Sequence, residues 1–393
     1  MSEGSSLRRV SQGLCDMIGN SSKDVIRGLK DVAAAETRIS YIDPSGSLYY
    51  LGYDIDDLVG HVVYAEVAFL LVHKRFPNQS ELDSFNSELI ANMRLPEEVV
   101  ESIKLSPKGA HPMDVLRTEV SNLGEFDTNV LDISPEENLR KAVKLIAQVP
   151  TIVATIHRTR KGEEVPEPRP DLSFAENFLY LFNGKLPDKA EADVMHRIMI
   201  LHADHGFNAS TFAARVTAST NADMYSAVTT AIGTLRGPIH GGASQKVMEM
   251  LDDIGLEAEV EEYIYGLLGD GKKIMGFGHR VYRAEDPRTK HLRNIVQHLC
   301  NQKRTMDLYN KCTTIETIVH QRKNIYPNVD FYAAVAMDAL GIPKDYYTPF
   351  FAASRIVGWV AHIIEQYEDA VLLRPLSNYV GEFGRPFVPI EKR

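Results

Sequence analysis

The chain has 393 residues, of which 44% are hydrophobic and 24% are charged, a balance typical of a globular protein with room for two domains. Its formal net charge of −10 argues against a broad nucleic-acid-binding face, which requires an excess of basic side chains. The three cysteines, Cys15, Cys300 and Cys312, are too widely spaced for a disulfide framework or a zinc knuckle. Residues 1–9 lack the apolar segment of a signal peptide, and no apolar stretch is long enough to cross a bilayer. We therefore expect a cytoplasmic protein, or one in an equivalent reducing compartment.

The first part of the chain contains one clear strand signal. Residues 1–22 are polar and rich in serine and glycine, and no motif in this arm predicts a function. In residues 38–53, apolar and aromatic side chains flank an Asp-Pro-Ser-Gly turn at residues 43–46. This pattern predicts a small β-hairpin.

After the hairpin, the pattern is that of a nearly all-helical protein. Apolar residues at helical spacing predict helices at 62–76, 113–123, 135–160, 174–182, 190–204, 208–219, 222–235, 243–253, 258–268, 287–303, 306–322, 331–340 and 347–367. A further helix is expected to begin at the cap Ser80, and capping boxes are predicted for Ser134 with Glu137 and for Ser173 with Glu176. About fourteen helices and one hairpin indicate an all-α fold, and the lack of strand–helix alternation argues against a parallel α/β sheet.

Two turns in the second half of the chain each place a histidine among glycines. Residues 237–242 read Gly-Pro-Ile-His-Gly-Gly and contain His240, and residues 275–280 read Met-Gly-Phe-Gly-His-Arg and contain His279. Glycine lets a ligand approach the main chain closely, and a histidine there can hydrogen-bond a substrate near neutral pH. Each turn alone is compatible with an ordinary glycine turn that happens to carry histidine. Because both occur, and Arg288 follows the second, they favour a small-molecule site.

Neither turn has the features of a nucleotide-binding loop. The Gly-Phe-Gly of residues 276–278 lacks the preceding strand, the third glycine and the later acid of a dinucleotide fold. Residues 237–242 lack the lysine and the serine or threonine of a P-loop.

The segment His-Ala-Asp-His at residues 202–205 allows two interpretations. His202 and His205 are three residues apart, which places them on one face of a continuing helix. A metal site is one interpretation, but the common helical zinc motif has histidines four apart with a glutamate, and no third ligand is evident. We favour hydrogen bonding from a helix end to substrate or backbone, so no metal site is predicted.

Asp330 and three arginines are further candidates. Asp330 opens the predicted helix 331–340, where a carboxylate most simply serves as an N-cap, although apolar neighbours could tune its pKa for a general base. Arg355 lies in an apolar helix, where a guanidinium must be paired or bind an anion, and both options stay open. With Arg288 and Arg374, it would suit a small dicarboxylate, because each carboxylate can accept a bidentate fork. Residues 374–393 have few helix signals, and we expect them to wrap over a partner surface.

Taken together, these motifs resemble the citrate synthase family. The matching stretches are LHADHGFNASTF at 201–212, GPIHGGASQKVMEML at 237–251, IMGFGHRVYRAEDPRTK at 274–290, YPNVDFYAA at 326–334, FAASRIVGW at 351–359 and RPLSNYVG at 374–381. Similarity is also visible at residues 38–55 and 111–117, so the resemblance covers nearly the whole chain in order.

The resemblance implies an all-α homodimer with two domains. The large domain would comprise residues 1–219 and 329–393, and the small domain, residues 220–328, would close over the substrates and exclude water. The implied reaction is the condensation of acetyl-CoA with oxaloacetate to give citrate and free CoA, a step of the tricarboxylic acid cycle. Side chains supply the acid, base and electrophile, so the resemblance implies no cofactor and no metal.

The resemblance also implies a role for each candidate. Asp330 would remove a proton from the acetyl methyl group, His240 would stabilise the enol or enolate, and His279 would polarise the ketone of oxaloacetate. The residues that match the family's oxaloacetate contacts are His205, His240, His279, Arg288, Arg355 and Arg374, the last reaching in from the other subunit. The expected CoA contacts are Lys272, Lys273, Ile274, Met275, Gly276, Phe277, Gly278 and Arg283. For the three basic residues in this set, a plain solvated surface position remains open.

Three other functions are alternatives to the citrate synthase reaction. A 2-methylcitrate synthase would use propionyl-CoA with the same motifs, because one methylene in an apolar pocket is worth only about 1–3 kcal/mol. A non-catalytic regulator that binds CoA or a carboxylate would be expected to lack at least one of His240, His279 and Asp330, and all three are present. A metal-dependent hydrolase built on His202 and His205 ranks last.

Overall fold

The computed structural model describes residues 25–29 and 31–393, so the arm at residues 1–22 lies outside the described part. Across the described residues there are sixteen α-helices and one three-stranded sheet, which confirms the predicted all-α fold. The strands are β1 (Ser40–Asp43), β2 (Ser47–Tyr50) and β3 (Tyr53–Asp54). The helices are α1 (Ile55–Leu58), α2 (Tyr64–His73), α3 (Gln79–Ala91), α4 (Glu97–Leu105), α5 (Pro112–Leu123), α6 (Pro135–Lys161), α7 (Phe174–Asn183), α8 (Lys189–His202), α9 (Ala209–Ala218), α10 (Met224–Leu235), α11 (Ala243–Ile254), α12 (Val260–Gly269), α13 (Pro287–Lys303), α14 (Met306–Lys323), α15 (Val329–Ala339) and α16 (Tyr347–Asp369). No helix in the described part is long and apolar enough to span a membrane.

The hairpin forms where the sequence predicts it, with β1 antiparallel to β2. Gly46 completes the turn with a φ of +111°, a conformation that strongly favours glycine. β3 has no predicted counterpart, because two residues are too few to show a strand period. The buried hydroxyl of Tyr50 lies 3.0 Å from the backbone oxygen of Asp204, so the hairpin is fastened to the loop that follows α8.

Helix starts follow the predicted capping chemistry in part. The capping box of Ser173 and Glu176 is confirmed at the start of α7. The prediction of Ser80 as a cap is wrong, because Asn78 caps α3 two residues earlier and forms the capping box with Glu81. Asparagine is at least as good an N-cap as serine, and it comes first along the chain.

The capping box predicted at Ser134 is also wrong, although Ser134 does occupy the N-cap position of α6. Its side chain makes no capping hydrogen bond. The Asp132 carboxylate instead accepts a hydrogen bond from the backbone N–H of Ser134 at 2.8 Å. A local turn therefore competes successfully with the cap.

Helix α16 is the centre of the core and carries Arg355 into it. Its side chains are buried along most of its length, and it packs against α6, α8, α9 and α10. Gly358 permits its closest approach, because a Cβ there would lie 2.4 Å from the backbone oxygen of Ala203 and 2.5 Å from Asp204 Oδ1. Helix α16 thus rests directly on the loop between α8 and α9.

The described chain divides into two compact units. Thr37–Leu372 contains the sheet and all sixteen helices named above. The described residues up to Glu36, together with Leu373–Arg393, form the other unit. Within it, residues 374–393 contain a single 3₁₀ turn, Ile390–Lys392, and many exposed apolar side chains. The division into a large domain and a small domain at residues 220–328 stays a prediction.

Candidate active site

His205 lies in the loop that follows α8. The helix ends at His202, so the prediction that His202 and His205 share one helix face is wrong. The loop leaves the helix because Asp204 is held by other elements, with its Oδ2 2.5 Å from Ser40 Oγ and 3.2 Å from His362 Nε2. His205 Nε2 then lies 3.3 Å from the hydroxyl of Tyr282.

The metal interpretation gains no support from this loop. Both ring nitrogens of His202 are buried and lack a hydrogen-bond partner in the described part of the chain, and the ring packs against Phe351. In residues 25–29 and 31–393, no group of three or more His, Cys, Asp or Glu side chains is arranged to hold a metal ion.

His279 is held in one tautomer by its own turn. Its Nδ1 accepts hydrogen bonds from the backbone N–H groups of Val281 and Tyr282, both at 3.0 Å. Burial and the charge of Arg288 lower the pKa of His279 to about 4, so the ring is neutral at physiological pH. Because Nδ1 is an acceptor, the proton is on Nε2, which is left as a donor. The ring of His279 lies 5.2 Å from that of His205, centre to centre.

His240 is held in the opposite tautomer. Its Nε2 accepts a hydrogen bond from the backbone N–H of Ser210 at 3.3 Å, at the start of α9, and also lies 3.1 Å from Ser210 Oγ. Burial and the charge of Arg355 lower the pKa of His240 to about 4. This imidazole is therefore also neutral near pH 7, and its proton is on Nδ1. The two glycine-flanked histidines thus present two neutral N–H donors.

Asp330 is not the N-cap of its helix. Helix α15 begins at Val329, and its cap is Asn328, whose Oδ1 accepts from the Asp330 backbone N–H at 3.1 Å. The Asp330 carboxylate is consequently available for other contacts, and Ser244 Oγ donates to its Oδ1 at 2.5 Å. Burial raises the pKa of Asp330 above its usual range, and the Ser244 hydrogen bond opposes that rise. The residue as a whole is half-buried.

Arg288 and Arg355 differ in how they are paired. Arg288 is buried at the start of α13 and forms a fork with Asp286, at 2.9 Å for Nε and 2.7 Å for Nη2. Arg355 forms no salt bridge with a carboxylate of the described chain. Its Nε donates to the His202 backbone oxygen at 2.6 Å, and its guanidinium lies 4.6 Å from the ring centre of Phe351.

One nitrogen of the Arg355 guanidinium is available to bind an anion. Its Nη2 is buried and has no hydrogen-bond partner among the described residues. Burial lowers the pKa of Arg355 to about 10, so the group stays cationic at neutral pH. A buried cation without a paired carboxylate is costly unless an anion binds to it, so a bound anion would stabilise Arg355, and its role as a substrate contact stays a prediction.

Electrostatic coupling joins these residues into one centre. The charges of Arg288 and Arg355 both act on His205 and hold its pKa, already reduced by burial, well below its usual range. Both arginines also lower the pKa of Asp330, against the effect of burial. The site therefore contains two cations, three neutral imidazoles and two carboxylates, of which Asp286 is paired with Arg288 and Asp330 is bound by Ser244. Arg374 belongs to the other compact unit, so its predicted contact stays a prediction.

The predicted CoA loop is connected directly to the segment before Asp330. Gly276 and Gly278 have φ values of +78° and +80°, which glycine adopts without strain. The Gly276 backbone oxygen accepts from Asn328 N–H at 2.8 Å, and Gly278 N–H donates to the Tyr326 oxygen at 2.9 Å. The loop backbone and the general-base candidate are therefore positioned together.

The side chains of this loop are unequally available to a ligand. Ile274 is buried in the core, and Phe277 packs edge-on against Phe331 with ring centres 4.8 Å apart. Lys272 is exposed and forms a salt bridge with Asp270 at 2.9 Å. Lys273 and Arg283 are also exposed. For these three basic residues, the contact with the phosphates of CoA stays a prediction.

Four contributors to the site have no counterpart among the predicted residues: Ser210, Ser244, Tyr282 and Asp286. The sequence contains a weak signal for two of them, Ser244 and Asp286. Ser244 follows His240 by four residues at the start of a predicted helix, and Asp286 precedes Pro287 as a typical N-cap. The contacts themselves join residues far apart in the chain, so spacing alone does not reveal them.

Similarity to known proteins extends over nearly the whole chain. A family model described as citrate synthase, C-terminal domain, matches residues 28–376. Citrate synthase 2 of Bacillus subtilis strain 168 is 46% identical over 368 residues, which cover 93% of this chain and 99% of that protein. The 2-methylcitrate synthase of Shewanella oneidensis is 38% identical over 368 residues, covering 93% of this chain and 97% of that protein. The citrate synthase of Thermoplasma acidophilum, solved as a ternary complex with carboxymethyl coenzyme A and oxaloacetate, has a TM-score of 0.89 against this chain at 33% identity, covering 93% of this chain and 98% of that one.

Proposed function

The chain belongs to the citrate synthase family of acyltransferases, and from that premise we propose how its own side chains condense acetyl-CoA with oxaloacetate and water to give citrate and CoA. The observation that carries the proposal is the pairing of one carboxylate with two neutral imidazoles. Asp330 is a carboxylate with one oxygen bound by Ser244, and His240 and His279 have their protons on opposite ring nitrogens. Such a set can remove one proton and stabilise two oxygens.

The first step is enolisation of the thioester. Asp330 takes a proton from the acetyl methyl group, and the electron pair of that C–H bond moves toward the thioester oxygen. His240 Nδ1–H donates a hydrogen bond to this oxygen, where negative charge develops. A neutral imidazole suits this role, because with a pKa of about 4 it stays neutral beside the positive charge of Arg355 and keeps its N–H as a donor.

The second step forms the carbon–carbon bond. The enol carbon attacks the ketone carbon of oxaloacetate, while His279 Nε2–H donates to the ketone oxygen, which becomes the hydroxyl of citryl-CoA. Water then attacks the thioester carbonyl, and the C–S bond breaks to release citrate and the CoA thiol. The proton that Asp330 takes in the first step balances the proton gained by the new hydroxyl, and the water supplies the proton of the CoA thiol, so the proposal requires no cofactor.

Oxaloacetate would be held by the cationic part of the site. Arg355 offers its unpaired Nη2 to one carboxylate, and Arg288 and His205 lie in the same electrostatic centre. We further propose that the chain forms a homodimer in which Arg374 reaches the site of the other subunit. The small domain, residues 220–328, would close over the substrates and exclude water.

Acyl-CoA would lie along the turn of residues 274–278, whose glycines expose backbone to the ligand. The Thermoplasma acidophilum structure, solved with a CoA derivative, supports this assignment by fold similarity. Lys272, Lys273 and Arg283 are proposed phosphate contacts. The expected compartment, the cytoplasm or another reducing space, belongs to this proposal as well.

A 2-methylcitrate synthase is the second candidate. The observation that favours it is the 38% identity to a protein of that name over nearly the whole chain. The same residues would act in the same roles, and only the pocket for one methylene would differ. The higher identity to a citrate synthase, 46%, favours acetyl-CoA.

The experiment that tests the proposal is oxaloacetate-dependent release of free CoA thiol, with acetyl-CoA and propionyl-CoA run in parallel. We expect kcat/KM to be higher with acetyl-CoA. A preference for propionyl-CoA would identify the second candidate. Folded protein that releases thiol with neither substrate would support a non-catalytic binding role and overturn the proposal.

A further inference from the structure

Ser244 makes a contact with Asp330 to which the proposed function assigns no role. It is buried in the first turn of α11, and its hydroxyl donates to Asp330 Oδ1 at 2.5 Å. We propose that Ser244 is a positioning residue for the general base: it holds one carboxylate oxygen so that the other faces the substrate proton. This inference rests on the proposed function, because it concerns the same reaction.

Tight packing on both sides brings Ser244 to the base. Before α11, Gly241 fits where a Cβ would lie only 2.1 Å from the Leu235 backbone oxygen, and its own oxygen accepts from Thr348 Oγ1 at 2.7 Å. The start of α11 is thereby fixed against α10 and α16. The backbone contacts therefore fix the position of Ser244, and its hydroxyl has less freedom than that of a serine on the surface.

A second close contact sets the distance between α11 and α15. Gly276 lies between them, and a Cβ there would come within 2.8 Å of Val247 Cγ2 and 2.9 Å of Phe331 Cβ. Val247 is one turn after Ser244 on α11, and Phe331 follows Asp330 on α15. The glycine therefore lets the two helices approach until the hydroxyl and carboxylate meet.

The chemistry of a single hydroxyl explains why this contact matters. Serine has one proton to donate, so it binds one carboxylate oxygen and leaves the other with its lone pairs. The groups that act on Asp330 from the neighbouring elements are Asp286 and Arg288 at the start of α13 and Arg355 on α16. Burial and Asp286 disfavour the ionised base, whereas the two arginines and the Ser244 hydrogen bond favour it.

The test compares the pH dependence of kcat in the full-length enzyme and in Ser244→Ala. Loss of the hydroxyl removes a donor that stabilises the carboxylate, so the acid limb of the profile should move upward by about one pH unit. We expect kcat at the optimum to fall about tenfold, because a mobile base transfers protons less efficiently. The KM for oxaloacetate should change by less than about threefold, because Ser244 is not a proposed oxaloacetate contact. Ser244→Thr, which keeps the hydroxyl, should restore the position of the acid limb.

Ser102→Ala is the matched control. Ser102 on α4 also donates to a carboxylate, Glu119 Oε1, at 2.8 Å, but neither residue belongs to the site. This variant should keep the wild-type pH profile. If Ser244→Ala does not fold, Ser244→Cys makes the same comparison, because a thiol is a much weaker donor.

Each outcome decides the proposal. A raised acid limb in Ser244→Ala, restored in Ser244→Thr, supports positioning of the base by Ser244. An unchanged acid limb with normal kcat overturns the proposal and leaves the citrate synthase reaction intact. Wild-type protein without thiol release would instead overturn the proposed function, so the two failures are distinguishable.

Discussion

The indole N–H of Trp359 donates a hydrogen bond to Ser210 Oγ at 3.1 Å, although the two residues lie on different helices, α16 and α9. The backbone N–H of Ser210 in turn donates to His240 Nε2. Trp359 is also one turn away from Arg355 on α16. One tryptophan is therefore linked both to the proposed enol-stabilising imidazole and to the proposed carboxylate-binding arginine.

This relationship predicts a fluorescence signal for oxaloacetate binding. Trp359 is the only tryptophan in the chain, and it is fully buried. When oxaloacetate binds Arg355, the electric field at the indole should change, and its emission should change with it. A titration of intrinsic fluorescence measures this effect, with Trp359→Phe as the control for tyrosine emission. Constant emission at oxaloacetate concentrations that saturate binding in calorimetry would contradict the link.

Arg355→Lys should weaken oxaloacetate binding by about a hundredfold, because lysine keeps the charge but loses the planar donor fork. Calorimetry gives the Kd directly. Arg197→Lys is the control, since Arg197 pairs with Asp193 at 2.8 Å on a partly exposed part of α8. A Kd within threefold of wild type for the Arg355 variant would mean that the buried guanidinium has only a structural role.

The buried histidines predict that stability falls in mild acid. His157 packs face to face on Phe182 at 3.9 Å between ring centres, and burial lowers the pKa of His157 to about 4. In the unfolded chain a histidine takes up its proton near pH 6.5, so between about pH 6.5 and 4 the unfolded state binds more protons. The free energy of unfolding should therefore decrease as pH is lowered through this window.

The variant His157→Phe isolates this effect. Phenylalanine keeps an aromatic ring in the stack and cannot titrate, so the variant should lose less stability than wild type between pH 7 and pH 5. The expected difference is on the order of 1–2 kcal/mol, from about 1.4 kcal/mol per unit of pKa shift. Denaturant unfolding at the two pH values measures it. Parallel losses in the two proteins would show that His157 does not contribute.

Alanine variants of Gly276 and Gly278 distinguish the cost of overpacking from the cost of backbone strain. Gly276 and Gly278 have nearly equal positive φ values, but an added Cβ at Gly276 meets Val247 and Phe331 whereas at Gly278 it meets nothing within 4 Å. Both alanine variants incur the left-handed backbone cost of about 1–2 kcal/mol. Gly276→Ala should be destabilised by about 1–3 kcal/mol more, from overpacking. Thermal or denaturant unfolding tests this difference, and equal stabilities would contradict the close contact between α11 and α15.

The sequence predicts the helices well because their signals are local. Apolar spacing and terminal residues place most helices within a few residues of their observed bounds, including α13 at Pro287–Lys303. Cap identity is less predictable where several capping residues lie close together. At Asp330 the preceding Asn328 takes the cap, and at Ser80 the preceding Asn78 does.

The site is predictable only as a set of residue types. The two histidine turns and the buried arginines stand out because histidine among glycines and arginine in an apolar helix are unusual. The tautomers are not predictable, because they depend on backbone donors such as Ser210, which is 30 residues from His240. The course of the chain after His202 likewise depends on contacts of Asp204 with Ser40 and His362, which lie 164 and 158 residues away.

The central claim is that Asp330 is the general base, and Asp330→Ala tests it most directly. The control is Asp338→Ala, which removes an exposed carboxylate from the same helix. We expect Asp330→Ala to lose about a thousandfold in kcat for thiol release from acetyl-CoA, within the range of general-base contributions, while its oxaloacetate Kd stays near wild type. Turnover within tenfold of wild type, with oxaloacetate still bound, would contradict the account.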